Sequence, residues 1–188
     1  MPPVCLALIV ANVALFLLVP SGSALFNNLA LWPIGSGFNL WQLVTYAFLH
    51  GGFWHIFFNM FAVYMFGPDL ERVWGGRRFF SYYMVCVITA GIVQTIVATG
   101  SGQAYPTVGA SGGMFGVLLA YAVYFPQRRI MLLIPPIPMP VWLFVTLYGL
   151  LELFLGVTGS QSGVAHFAHL GGMFGGLLML KRWHSFRR

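Results

Sequence analysis

The most constraining feature of this chain is where its charges are not. Across 188 residues it carries nine basic and three acidic side chains, and residues 21–50, 99–110 and 158–164 contain none of either sign. The basic residues fall in three places: Arg72, Arg77 and Arg78; Arg128 and Arg129; and Lys181, Arg182, Arg187 and Arg188. Around them lie six apolar segments, approximately 4–20, 51–68, 79–98, 111–125, 141–157 and 165–180. A soluble domain usually carries about 25% charged residues; this chain has 6%, too few to clothe a water-facing surface. In lipid only helices or closed barrels satisfy their own backbone, and the strict alternation a barrel strand needs is absent. The expectation is an all-α, polytopic membrane protein in which residues 1–188 form a single six-transmembrane-helix domain. With six spans every basic residue lands on one side, and the positive-inside rule makes that side, and both termini, cytoplasmic.

Other classes fit less well. The net charge of +6 gathers at segment ends, which suits a bilayer surface and gives no reason to expect a nucleic-acid partner. Cys5 and Cys86 sit in apolar runs without a CxxC and read as small buried hydrophobes. The first segment has no basic n-region, so a cleaved leader is not expected. Residues 21–50 hold Trp32, Phe38, Trp41, Tyr46 and Phe48 with Pro33, Gly35 and Gly37 as breakers. Such a loop is expected to lie partly in the outer leaflet, where aromatics are at home. No internal repeat is visible, against a transporter.

Three polar clusters interrupt the apolar segments. His55 and Asn59 are four apart and share a helix face. Ser111 opens the fourth segment within Gly109-Ala110-Ser111-Gly112-Gly113, and His166 and His169 lie three apart in the sixth. Counting helix rise from the flanking arginines puts Ser111 ~26 Å, and Asn59 and His169 ~20 Å, above the cytoplasmic side. His55 lies ~6 Å higher than Asn59. All sit in the outer part of a core about 30 Å thick. The fourth segment is stopped by Pro126 and is too short to span alone, so Ser111 is expected below the outer surface, reached by a water-filled cavity.

Residue type then sets the chemistry. A serine hydroxyl needs an adjacent base, which His169 can supply. Ser111 at a helix N-terminus has free N–H groups beside it. Its own N–H, with the Asn59 amide and the His55 imidazole, can form an oxyanion hole. Gly112, Gly113 and Gly116 on one segment, and Gly171, Gly172, Gly175 and Gly176 on another, allow the close helix approach that would join serine to histidine. Each polar residue alone has a packing explanation; their coincidence at one depth favours a site. Asp69 and Glu71 lie at the cytoplasmic end. Glu152, in the fifth segment, has a suitable depth and is read chiefly as a structural pairing, with orientation of His169 as the alternative. His50 is read as closing the outer loop by hydrogen bonding, and His166 as supporting the site or lining its cavity.

At these residues the chain resembles the rhomboid family of intramembrane serine proteases, in its bacterial six-helix type. The matching motifs are the HxxxN of His55 and Asn59, the GxSG from Gly109 to Gly112, and Ala168-His169-Leu170-Gly171-Gly172 with Gly176 beyond. The run from Leu70 to Phe79 also looks like the family's cytoplasmic turn. The resemblance implies an endopeptidase that cleaves transmembrane segments of membrane proteins near the outer side of the bilayer, without cofactor or metal. It implies Ser111 as nucleophile, His169 as general base and acid, and His55, Asn59 and the Ser111 N–H as oxyanion donors. Gly109, Gly112 and Gly172 would support them, and Phe115 matches an aromatic that packs under the imidazole. Its partners would be transmembrane protein substrates and the lipid bilayer, and its location a bacterial inner membrane. Trp41-Gln42 stands where a Trp-Arg pair is frequent, a departure that bears on loop anchoring rather than catalysis. Three rivals remain. An inactive relative would typically lack the serine or the histidine. A channel would show charged or repeated pore segments. An intramembrane metalloprotease needs HExxH or paired aspartates, and neither occurs.

Overall fold

A computed structural model describes residues 1–131, 136–159 and 164–185. In chain order it contains α1 (Pro3–Leu18), α2 (Ala24–Leu29), α3 (Gln42–Thr45), a 3-10 turn (Tyr46–Phe48), α4 (Phe53–Trp74), α5 (Gly76–Gly100), α6 (Ser111–Tyr124), β1 (Arg129–Met131), β2 (Pro138–Pro140), α7 (Val141–Thr158) and α8 (His166–Ser185). Six long helices thus stand on the six apolar segments. Two of them, α5 and α7, are long and apolar enough to cross a bilayer, while α1 and α6 are apolar but shorter. Residues 160–163 of the third uncharged loop, and Arg187 and Arg188, lie outside the described residues.

The boundaries differ from expectation where α4 meets α5. The second segment was expected to end at about 68, but α4 runs through Pro68 to Trp74. The added turn is held by burial. Glu71 accepts the N–H groups of Val4 at 2.9 Å and Cys5 at 2.8 Å. Its carboxylate thereby caps the first turn of α1, where unpaired donors and the helix dipole favour an anion. Gly75, at φ 78°, then turns the chain directly into α5, a conformation that glycine adopts without a Cβ penalty. Asp69 also accepts from Arg72, Arg128 and Tyr121, joining the ends of α4 and α6. The paired strands β1 and β2 are antiparallel, Ile130 opposite Met139. Three residues per strand, two of them proline in β2, are too few to show alternation.

The centre is built from α5, α6 and α8. Phe79, Tyr82, Tyr83, Cys86 and Val87 line the buried face of α5, and Tyr82 donates its hydroxyl to the Gly116 carbonyl at 2.8 Å. Backbones of α6 and α8 meet where Gly172 faces Gly112: a methyl on Gly172 would fall within 2.7 Å of the Gly112 carbonyl carbon. By contrast, α7 buries only Val141, Val145 and Glu152, and leaves Leu150, Phe154 and Val157 exposed.

Over the opposite end from the arginines, the first and second uncharged loops lock together. Leu31 and Thr107 exchange main-chain hydrogen bonds of 3.0 and 2.8 Å. Gln42 sits at the heart of the first loop, fully buried. Its Oε1 accepts from the N–H groups of Trp32 (3.2 Å) and Asn39 (3.1 Å), and its Nε2 donates to the carbonyls of Asn28 (3.1 Å) and Gly37 (3.2 Å). The departure at Trp41-Gln42 therefore leaves the loop anchored. A neutral amide satisfies four main-chain groups where a guanidinium, having no acceptor, could satisfy only carbonyls.

Candidate active site

Ser111 is the first residue of α6, and the chain reaches it through Gly109, whose N–H donates to the Tyr46 carbonyl at 3.0 Å. Gly109 has φ +125°, and a methyl there would lie 2.6 Å from His55 Nε2. Only glycine can pass the main chain so close to that imidazole. His169 lies one turn into α8, and the close approach of α8 to α6 sets its Nε2 2.8 Å from Ser111 Oγ. Its ring stacks on Phe115, centroids 4.2 Å apart and planes 6° from parallel, and Phe115 leans in turn on Tyr148.

The other nitrogen of His169 is also occupied. Nδ1 lies 2.8 Å from Glu152 Oε2 on α7, and the same oxygen lies 2.6 Å from His166 Nδ1. An ionised carboxylate can only accept, so His169 donates Nδ1–H to it and presents the Nε2 lone pair to the serine hydroxyl. Glu152 is 3% exposed and His166 5%, a degree of burial at which a charged group needs its partners. Read from sequence chiefly as a structural pairing, Glu152 in fact touches the histidine that touches Ser111. His166 supports that carboxylate, and its Nε2 has no hydrogen-bond partner among the described residues.

His55, Asn59 and Ser111 line one cavity of about 470 Å³, with Gly109, Gly112, Ala168 and His169. Asn59 donates one amide hydrogen to the His55 carbonyl at 2.9 Å, which fixes the amide and leaves its second hydrogen for the cavity. His55 Nδ1 accepts a long bond, 3.4 Å, from the Gly51 N–H, so Nε2 is the protonated nitrogen. Tyr46, Gln103 and Tyr105 also line this space; they come from loops with no motif to single them out. His50 does not behave as expected. It is 2% exposed, neither ring nitrogen has a partner among the described residues, and it packs edge-on against His55 with centroids 4.9 Å apart. The loops are closed instead by the Leu31–Thr107 pair and the Gly109–Tyr46 bond, which leaves His50 no such task.

No metal-ligand set was visible in the sequence, yet the fold gathers one. Atoms of Glu152, His166 and His169 lie within 4.8 Å of one another and could hold an ion. Their 2.6 and 2.8 Å separations are those of hydrogen bonds. An ion coordinated at about 2.0–2.2 Å by each would have to spread them apart.

The fold is thus a helical bundle that brings Ser111 and His169 together at the edge of a polar cavity. Comparison with known proteins is narrower: the Rhomboid domain model matches residues 37–185, and the chain belongs to the rhomboid family. It is 33% identical over 146 residues to Rhomboid protein 1, mitochondrial, of Saccharomyces cerevisiae, covering 73% of this chain and 40% of that one. Over 136 residues it is 30% identical to Rhomboid protease GluP of Bacillus subtilis, 72% of this chain and 24% of the relative. YdcA of Bacillus subtilis, named as a candidate rhomboid protease, is 30% identical over 161 residues, 81% of this chain and 76% of that protein. The chain thus spans less than half the length of the first two relatives. Membership makes it an integral membrane protein of a family with hydrolase members named as proteases; mitochondrial and bacterial relatives occur side by side.

Proposed function

We propose that this chain is an intramembrane serine endopeptidase that cleaves transmembrane segments of membrane proteins with Ser111 as nucleophile and His169 as general base and acid. The observation that carries this reading is the 2.8 Å contact between His169 Nε2 and Ser111 Oγ at the edge of a polar cavity. His169 takes the hydroxyl proton as Oγ attacks the scissile carbonyl, then gives it to the departing amine. The negative charge that develops on the carbonyl oxygen falls toward the start of α6, where the Ser111 N–H, the second Asn59 hydrogen and His55 Nε2–H can receive it. Phe115 holds the imidazole plane.

The six long helices are six spans of one domain in this reading. The two long apolar helices and the many exposed apolar side chains, Leu17, Phe53, Trp54, Phe154 and Val157 among them, support it; contiguous apolar surface of this kind is uncommon on soluble monomers. The described basic residues lie at the end of the bundle away from Ser111, so we place both termini on the cytoplasmic side and the cut near the outer side.

The test uses full-length protein reconstituted in liposomes with a model transmembrane substrate and a fluorophosphonate probe. Wild type is expected to cleave the substrate and to label at Ser111, and Ser111→Ala and His169→Ala to lose both while keeping the helical fold. Full cleavage by either variant would sink the assignment. A correctly folded wild type that neither cleaves nor labels would make the chain an inactive, client-binding relative.

A further inference from the structure

Beyond the serine–histidine pair, we propose that Glu152 is a positioning residue for His169, so that the working unit is Ser111–His169–Glu152 with His166 as the second donor that holds the carboxylate. This rests on the function proposed above.

The geometry gives each contact a separate task. A neutral imidazole has two tautomers, and only the one with its lone pair on Nε2 can take the proton of Ser111. The 2.8 Å bond from Nδ1–H to Glu152 Oε2 selects that tautomer. Stacking on Phe115 at 6° fixes the plane of the ring but leaves it free to turn within that plane. Hydrogen bonds at both nitrogens remove that freedom.

The placement of the acid argues in the same direction. Of the two buried acids among the described residues, Glu71 is accounted for by the start of α1. Glu152 lies in the middle of an apolar helix, where a carboxylate costs several kcal/mol unless well paired. His166 alone would pair it. Its one oxygen instead reaches His169 as well, and so touches the atom chain that ends on the nucleophile.

Proton and electron movements balance in acylation as follows, and water then cleaves the Ser111 ester, giving its proton to His169, which returns it to Ser111 Oγ. As Ser111 Oγ bonds to the substrate carbonyl carbon, its proton passes to His169 Nε2. The imidazolium so formed faces the Glu152 carboxylate, which stays ionised. The imidazolium then returns the proton to the leaving nitrogen as the C–N bond breaks.

The experiment measures kcat and KM on the transmembrane substrate, the fluorophosphonate labelling rate and thermal unfolding, for full-length wild type, Glu152→Gln and Glu152→Asp in liposomes. Glutamine can turn its NH2 toward Nδ1 and favour the wrong tautomer; the matching change in the serine-protease triad lowers kcat about 10⁴-fold. We expect Glu152→Gln to lower kcat and the labelling rate together by about 10²–10⁴-fold at unchanged KM and melting temperature. Glu152→Asp, which keeps the charge on a shorter arm, should recover part of the loss. Should the glutamine variant fail to fold, the aspartate variant is read alone: lower kcat at constant KM supports the proposal, and wild-type kcat overturns it. A loss confined to KM or to stability would make Glu152 purely structural and overturn the proposal. So would activity in wild type that depends on added zinc and disappears with Glu152→Gln, which would assign the cluster to a metal. If Ser111→Ala stays active, the serine mechanism fails as a whole. If Ser111→Ala is inactive and Glu152→Gln is not, only the present inference fails.

Discussion

Gly172→Ala tests whether the helix crossing sets the reacting distance. The added methyl would lie 2.7 Å from the carbonyl carbon of Gly112, against an ordinary carbon–carbon separation of about 3.5–4.0 Å. The Gly112 carbonyl oxygen lies closer still, and both helices are packed, so α6 and α8 must part by at least about 1 Å, and the 2.8 Å contact between His169 and Ser111 stretches beyond hydrogen-bond range. A misplacement of that size costs about 10²-fold in rate, and overpacking of this kind costs about 1–3 kcal/mol in stability. The assay is kcat on the reconstituted protein with thermal unfolding in parallel. Gly100→Ala serves as control, because a methyl there meets nothing within 4 Å. The reasoning is refuted if Gly172→Ala matches the control in kcat and melting temperature.

Asn59→Ala should lower kcat by about 10²–10³-fold with little change in KM, as removal of an oxyanion donor does; a change in KM alone would move Asn59 to substrate binding. Gln42→Leu leaves four main-chain groups of the first loop unpaired, each costing about 1–3 kcal/mol if it stays buried. Its melting temperature should fall sharply, and an unchanged one would show the loop is anchored elsewhere. Gly109→Ala, strained at φ +125° and pressed on His55, should lose activity more than stability, and normal kcat would show that the path into α6 is not constrained by that imidazole.

The long helices were legible because hydrophobic runs bounded by charges are read without tertiary information. The site pair was legible for a related reason. Ser111, His169, His55 and Asn59 stand out in an apolar chain, and counting helix rise puts them at one depth. Partnership was not legible. Nothing in the fifth segment says whether the Glu152 carboxylate turns toward His169 or elsewhere, since that depends on the rotation of α7 about its own axis. The same limit applies to His50, whose burial follows from loop closures made by main-chain atoms. The extra turn of α4 was hidden because Pro68 signals an end in local terms, while the grip of Glu71 on α1 joins residues far apart in the chain.

The thin packing of α7 has a consequence in the language of linkage. Ser111 and His169 ride on α6 and α8, which are locked backbone to backbone, whereas the carboxylate beneath His169 rides on a helix that buries two valines and itself. If undocking α7 deprives His169 of its acceptor, thermodynamic reciprocity requires the converse. Every step that places positive charge on His169 must then draw α7 inward, and every step that removes it must let α7 go. The docking equilibrium of one helix would therefore rise and fall with each catalytic cycle, slackest when the imidazole is neutral and the next substrate has yet to arrive.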